Sequence, residues 1–166
     1  MTGHIRPART TGVGVIHDLI SGYTEDRRML AKAMVTLYED VQEFIVVERD
    51  DEILACGALH VMWEDLAEVR SLAVRRDSVG EGLGSQVLTV LLDRARALGV
   101  ERVFCLTFET GFFGQHGFTE FEGTPVEHEV FEQLLQSYDE GVAEFLDLER
   151  VKPNTLGNHR MLMLLQ

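Results

Sequence analysis

Cysteine is nearly absent from this chain: two among 166 residues. Cys56 and Cys105 lie far apart, each inside an apolar run, which fits buried free thiols rather than a disulfide framework or a metal pair. No Pro-, Gly- or Ser-rich stretch is long enough to divide domains, so a single domain over residues 1–166 is expected. The N-terminal segment Met1-Thr-Gly-His-Ile-Arg has no apolar signal core, and no run approaches the length of a membrane span. A reduced, cytoplasmic location is expected. Basic residues are scarce too. Fifteen Lys and Arg against 28 Asp and Glu leave a net charge of −13, which argues against nucleic acid or an anionic membrane as partner.

Apolar residues recur at helical spacing over 13–23 and 27–39. Two apolar runs, 44–48 and 53–59, flank Arg49-Asp-Asp-Glu52, and predict a hairpin. Residues 69–74 read as a third strand after the Trp63-Glu-Asp65 loop. A long amphipathic helix follows from Gly82, carried by Leu83, Val87, Leu88, Leu91, Leu92, Ala95 and Leu98 and stopped by Gly99. Residues 103–108 read as a buried strand, 112–118 as a short helix and its end, 126–138 as a helix, and 161–165 as a last strand; 5–9 is a short first one. The class is α/β or α+β, in three layers at most.

The most informative stretch is Val79-Gly-Glu-Gly-Leu-Gly84, between a strand and that long helix. Its glycines leave backbone N–H groups uncovered where a helix dipole begins, which makes an anion site suited to pyrophosphate. Arg75 and Arg76 beside it supply local positive charge, or are a solvated basic pair. A P-loop is disfavoured because no Lys-Ser/Thr follows. The spacing is Gly-x-Gly-x-Gly, and two helices and several strands come first, so the Rossmann fingerprint does not fit either.

At this point the chain resembles the GNAT N-acetyltransferases. Their motif Gln/Arg-x-x-Gly-x-Gly/Ala falls on Val79, Gly82, Leu83 and Gly84 after the strand end Leu72-Ala73-Val74, with Val79 at the usual Gln or Arg position. Phe112-Phe-Gly-Gln-His-Gly-Phe118 is similar to the later motif Tyr-x-x-x-Gly-Phe, with Phe113 in place of the tyrosine that protonates the departing thiolate. The resemblance implies a central mixed, mostly antiparallel sheet flanked by helices. It also implies acetyl-CoA as co-substrate, with no metal, held by Leu72, Ala73, Val74, Val79, Gly80, Gly82, Leu83, Gly84, Ser85 and Phe113.

Over nearly the whole chain the resemblance sharpens. Val41-Gln-Glu-Phe44, Cys56-Gly-Ala-Leu-His60, Leu106-Thr-Phe-Glu-Thr110, Glu122-Gly-Thr-Pro-Val126 and Val151-Lys-Pro-Asn154 look like the short, single-domain N-acetylglutamate synthases of actinobacteria. It implies transfer of acetyl to the α-amino group of glutamate, the opening step of arginine biosynthesis. Glutamine or another small amino acid is the alternative acceptor; a protein or polyamine acetyltransferase and a non-catalytic acyl-CoA sensor are remoter ones. Glu68 matches the acidic residue assigned as general base, with His60 its rival. Thr110 matches a hydroxyl residue proposed as acid. Leu30, Lys32, Arg70, Ser71, Lys152 and Arg160 are the expected acceptor-binding residues, the Lys and Arg among them for its carboxylates, where Arg forks a carboxylate better than Lys. Arginine as an inhibitor and a homodimer remain open from the sequence.

Overall fold

A computed structural model describes residues 3–24, 32–151 and 157–165. Seven strands make one sheet: β1 (His4–Pro7), β2 (Phe44–Arg49), β3 (Glu52–Trp63), β4 (Leu66–Val74), β5 (Arg102–Thr107), β6 (Thr119–Glu120) and β7 (His159–Leu164). Their order is β1-β2-β3-β4-β5-β7-β6, and among the described residues only the β4–β5 pair is parallel. The helices are α1 (Val13–Thr24), α2 (Met34–Glu39), α3 (Leu83–Leu98), α4 (Thr110–Gln115), α5 (His128–Leu134) and α6 (Glu140–Phe145).

Three apolar clusters divide the sheet's two faces. Val87, Leu88, Leu91 and Ala95 of α3 pack on Val47, Ala55, Ala67, Val69, Val103 and Cys105. On the opposite face Ile16 and Ile20 of α1 cover Val46, Cys56 and Ala73. Beyond them Val142 and Phe145 of α6 cover Leu66 and Phe104. Gly57 is required where α3 crosses β3, because a Cβ there would lie 2.6 Å from Val87 Cγ1.

The predicted hairpin is a two-residue turn, Asp50-Asp51, with both residues at positive φ, the type I′ geometry that suits strand twist. Gly99 ends α3 at φ +89 as expected. Two expectations need correction. β4 starts at Leu66, because Trp63 pairs with Leu66 across a tight Glu64-Asp65 turn. Its polar Glu68 and Arg70 hid the strand's first half. The helix expected over 126–138 is shorter, His128–Leu134, and a separate helix that the sequence reading did not assign follows from Asp139, whose side chain accepts from Val142 N–H. The helix expected over 27–39 is described only from Met34 to Glu39; residues 25–31 lie outside the described residues.

One irregularity shapes the site. Ala58 pairs with Arg70 and Cys56 with Ala73, so Ser71 and Leu72 oppose Gly57 alone, a bulge with Ser71 at φ 56. It inverts the alternation. Val69 faces α3 before the bulge, and Ala73 faces α1 after it.

Candidate active site

β4 and β5 pair only from Leu66–Arg102 to Glu68–Phe104. Beyond Glu68 they separate, and a cleft of about 680 Å³ opens between them. Residues 68–72 and Val74 line one side; Leu106, Thr107 and Phe108 line the other. Among the described residues no strand pairs with this edge of β4 past Glu68, so its backbone groups face the cleft.

At the cleft's mouth the glycine turn runs into α3. Gly82 is the N-cap at φ +81 and Gly80 sits at φ +94, a conformation only glycine takes without strain. A Cβ at either would meet open space, so backbone geometry rather than crowding requires these glycines. The first helical bond of α3 runs from Gln86 N–H to Gly82 C=O, which leaves the N–H groups of Leu83, Gly84 and Ser85 without intrahelical partners. No side chain caps this end, and α3 has no acid in its first turn. The nearby Glu81 is paired with Arg49 at 2.8 Å. Arg76 lines the cleft, stacked 4.6 Å from the centroid of Tyr23. Arg75 is drawn outward by Asp77 and Glu52. The cradle fits an anion such as pyrophosphate.

Deeper in, side chains take over from backbone. Glu68 is 5% exposed and Arg70 8%, and at i, i+2 on β4 they share a face. Arg70 donates from Nε and Nη2 to Glu68 Oε1, at 2.9 and 2.5 Å. It also donates from Nη1 and Nη2 to the two oxygens of Asp139, at 2.7 and 2.6 Å. Burial opposes the Arg70 charge, but the facing carboxylates of Glu68 and Asp139 hold its pKa above the ordinary guanidinium value. Burial likewise opposes the Asp139 charge, and Arg70's hydrogen bonds and charge nonetheless keep that carboxyl well below the usual range. His60 Nδ1 lies 2.9 Å from Glu43, and this hydrogen bond raises the imidazole pKa; His60 Nε2 is 3.9 Å from Asp139. Burial, then Glu43, raises the pKa of Asp40 beside them.

Of the expected cofactor contacts, all but Ala73 line the cleft; Ala73 is buried against α1 and contributes backbone only. Phe113 lies on the wall, 6% exposed and edge-on to Phe112 and Phe118. Of the expected catalytic residues, Glu68 is on the cleft wall. Thr110 is half-buried at the start of α4, and its neighbours Thr107 and Glu109 line the cleft instead. Lys32, Arg70 and Ser71 line it as expected, whereas Leu30 and Lys152 lie outside the described residues.

Arg160 lies apart from the other expected acceptor residues among those described. Its guanidinium donates to the carbonyls of Glu144, Phe145 and Gly123 and stacks 4.4 Å from the Phe121 centroid. It caps the C-terminal end of α6 and does not line the cleft. Sequence reasoning missed Tyr23, Asp139, Gly141 and Asn158. Tyr23 donates to Val74 C=O at 2.6 Å, and Asn158 carries a buried Oδ1 on the cleft wall that has no hydrogen-bond partner among the described residues. Ser137-Tyr-Asp139-Glu-Gly-Val142 carries a helix-start pattern at Asp139, but nothing in it says what the side chain touches. Among the described residues no three His, Cys, Asp or Glu gather as a metal site, and no helix is long and apolar enough to cross a membrane.

The model of the Acetyltransferase (GNAT) family matches residues 14–119, most of the chain and all of the cradle. The chain belongs to the GNAT acetyltransferase family. It is 54% identical to an amino-acid acetyltransferase of Mycobacterium tuberculosis over 97% of this chain and 94% of that one. The crystal structure of Rv2747 from M. tuberculosis in complex with CoA and NLQ superposes with a TM-score of 0.94 at 53% identity, covering 98% of this chain and 99% of that one. N-acetylglutamate synthase from Neisseria gonorrhoeae, complexed with coenzyme A and N-acetyl-glutamate, shares the fold: TM-score 0.79 and 23% identity, covering all of this chain and 36% of that one.

Proposed function

We propose that this GNAT protein is an amino-acid acetyltransferase that moves the acetyl group of acetyl-CoA to the α-amino group of L-glutamate, giving N-acetyl-L-glutamate. This is chemistry that opens arginine biosynthesis. The observation that carries the reading is the position of Glu68. Its buried carboxylate stands on the cleft wall where β4 leaves β5, on the strand that continues into the glycine cradle. The name of the M. tuberculosis relative at 54% identity supports the amino-acid acceptor. The complex of the gonococcal enzyme with N-acetyl-glutamate supports glutamate.

The residues divide the work. The N–H groups at the start of α3 hold the pyrophosphate of acetyl-CoA, and the unpaired β4 edge runs beside its acyl arm. Glu68 takes the proton of the acceptor's ammonium, directly or through one water, which frees the nitrogen lone pair. As the new C–N bond forms and the C–S bond breaks, backbone N–H groups near the Ser71 bulge face the charge gathering on the carbonyl oxygen. Phe113 has no proton to give, so CoA leaves as the thiolate, a tolerable leaving group near neutrality, and the second proton of the amine passes to solvent as the C–S bond breaks. Lys32 stands within reach of an acceptor carboxylate in the same cleft.

A second acceptor has an observation in its favour. The donors of Arg70 are engaged by Glu68 and Asp139, and Asp40 and Glu43 stand close by. That wall suits a neutral γ-amide better than a second carboxylate, so glutamine belongs beside glutamate in the test. The test follows free CoA with acetyl-CoA and a panel of amino acids, polyamines and peptides. Turnover with glutamate or glutamine above the rest is expected; no turnover with either overturns the proposal.

A further inference from the structure

Asp139 lies beyond the residues matched by the family model, yet it reaches back to the β4 pair. Resting on Glu68 as the base, we propose that Asp139, acting through Arg70, is a positioning residue for the Glu68 carboxylate.

The geometry is a clamp with three jaws. Asp139 takes two guanidinium nitrogens of Arg70, and Arg70 places two donors on Glu68 Oε1. Both of those bonds end on one oxygen, so among the described residues Oε2 takes no hydrogen bond and is left to receive the proton. The third jaw is the backbone of α6: a Cβ on Gly141 would overlap Glu68 Oε1, so only glycine lets the helix close on that side. Asp139 Oδ1 also accepts from Val142 N–H at 3.1 Å, so the same carboxylate seats α6 and aims Arg70. Without Asp139 the buried guanidinium loses a bidentate partner and is free to turn, and the base loses its fixed direction. The charged groups around the clamp are His60 on β3, Glu43 before β2, Asp40 after α2 and Lys32 on the cleft wall. On the other face of β5, Cys105 is buried under α3; burial raises its thiol pKa well above the ordinary value, and the Glu68 charge adds to this.

The rival account is that Asp139 only caps α6. Asp139→Asn and Asp139→Ser separate the two, because both residues keep a good N-cap while neither offers Arg70 two charged oxygens. Expected are folded proteins with near-parental Tm, an unchanged KM for acetyl-CoA, and kcat lowered about ten- to a hundredfold. Arg70→Lys is expected to lose a similar factor, and the Arg70→Lys/Asp139→Asn double variant little more, since the two residues act as one unit. Glu68→Gln is measured alongside. If it loses turnover while both Asp139 variants keep kcat within twofold, or if the double variant's losses multiply, the positioning role is overturned alone. If Glu68→Gln keeps full turnover, the reading of Glu68 as base falls and the clamp's purpose falls with it.

Discussion

The mouth of the cleft offers backbone N–H groups from consecutive residues, Leu83 to Ser85, while the wall around Glu68 is assembled from side chains far apart in the chain. Arg70 and Asp139 are 69 residues apart, and His60 and Glu43 are 17 apart. The difference separates two tasks. A phosphate needs donors and a dipole, which any backbone supplies once glycines permit the turn. An acceptor amine needs one carboxylate held in one direction, which takes several side chains locked against each other.

The comparison breaks most sharply at Gly82. Gly82→Asp puts a side chain and a negative charge in the cradle and strains a φ of +81. CoA affinity by calorimetry is expected to fall at least about 100-fold, with the Glu68 wall untouched. Next comes Gly141→Ala, which displaces Glu68 without altering any charge. We expect kcat to fall about tenfold at unchanged CoA affinity. An equal loss of CoA affinity would show that the two halves are not separable.

Arg160→Met sharpens the boundary of the acceptor wall. Arg160 holds α6 by its carbonyls, so Tm is expected to drop by about 5 °C while the acceptor KM stays within twofold. The smallest effect is electrostatic. The hydrogen bond to Glu43 raises the His60 pKa, so folding favours the imidazolium. This stability is fully present below the unfolded-state value of about 6.5 and is lost as pH rises through the raised folded value. Denaturation of His60→Gln at a series of pH values should show a flatter dependence in that window than the parent.

Legibility in the sequence follows the same divide. The cradle was readable because its signal is local: Gly80, Gly82 and Gly84 ahead of an amphipathic helix whose Leu and Val spacing is unambiguous. The paired Asp50-Asp51 turn and the Gly99 stop were local as well. Glu68 was singled out by resemblance, although its place beside Arg70 broke the apolar pattern and concealed the first half of β4. Asp139 and Gly141 were invisible, because an N-cap and a small residue in a six-residue helix announce a helix and nothing about what it touches. Arg160 shows the converse: a basic residue near a presumed substrate loop looks free in the sequence, and the register of β7 turns it onto the carbonyls of α6.

The most direct measurement is a crystal structure of this chain with CoA and N-acetyl-glutamate bound. The account predicts the pyrophosphate against the N–H groups of 83–85. It also predicts a Glu68 carboxylate oxygen about 3 Å from the acetylated nitrogen, or one water away, with Arg70 still bridging Glu68 and Asp139. A pyrophosphate bound elsewhere, or a product nitrogen out of reach of Glu68, would contradict it.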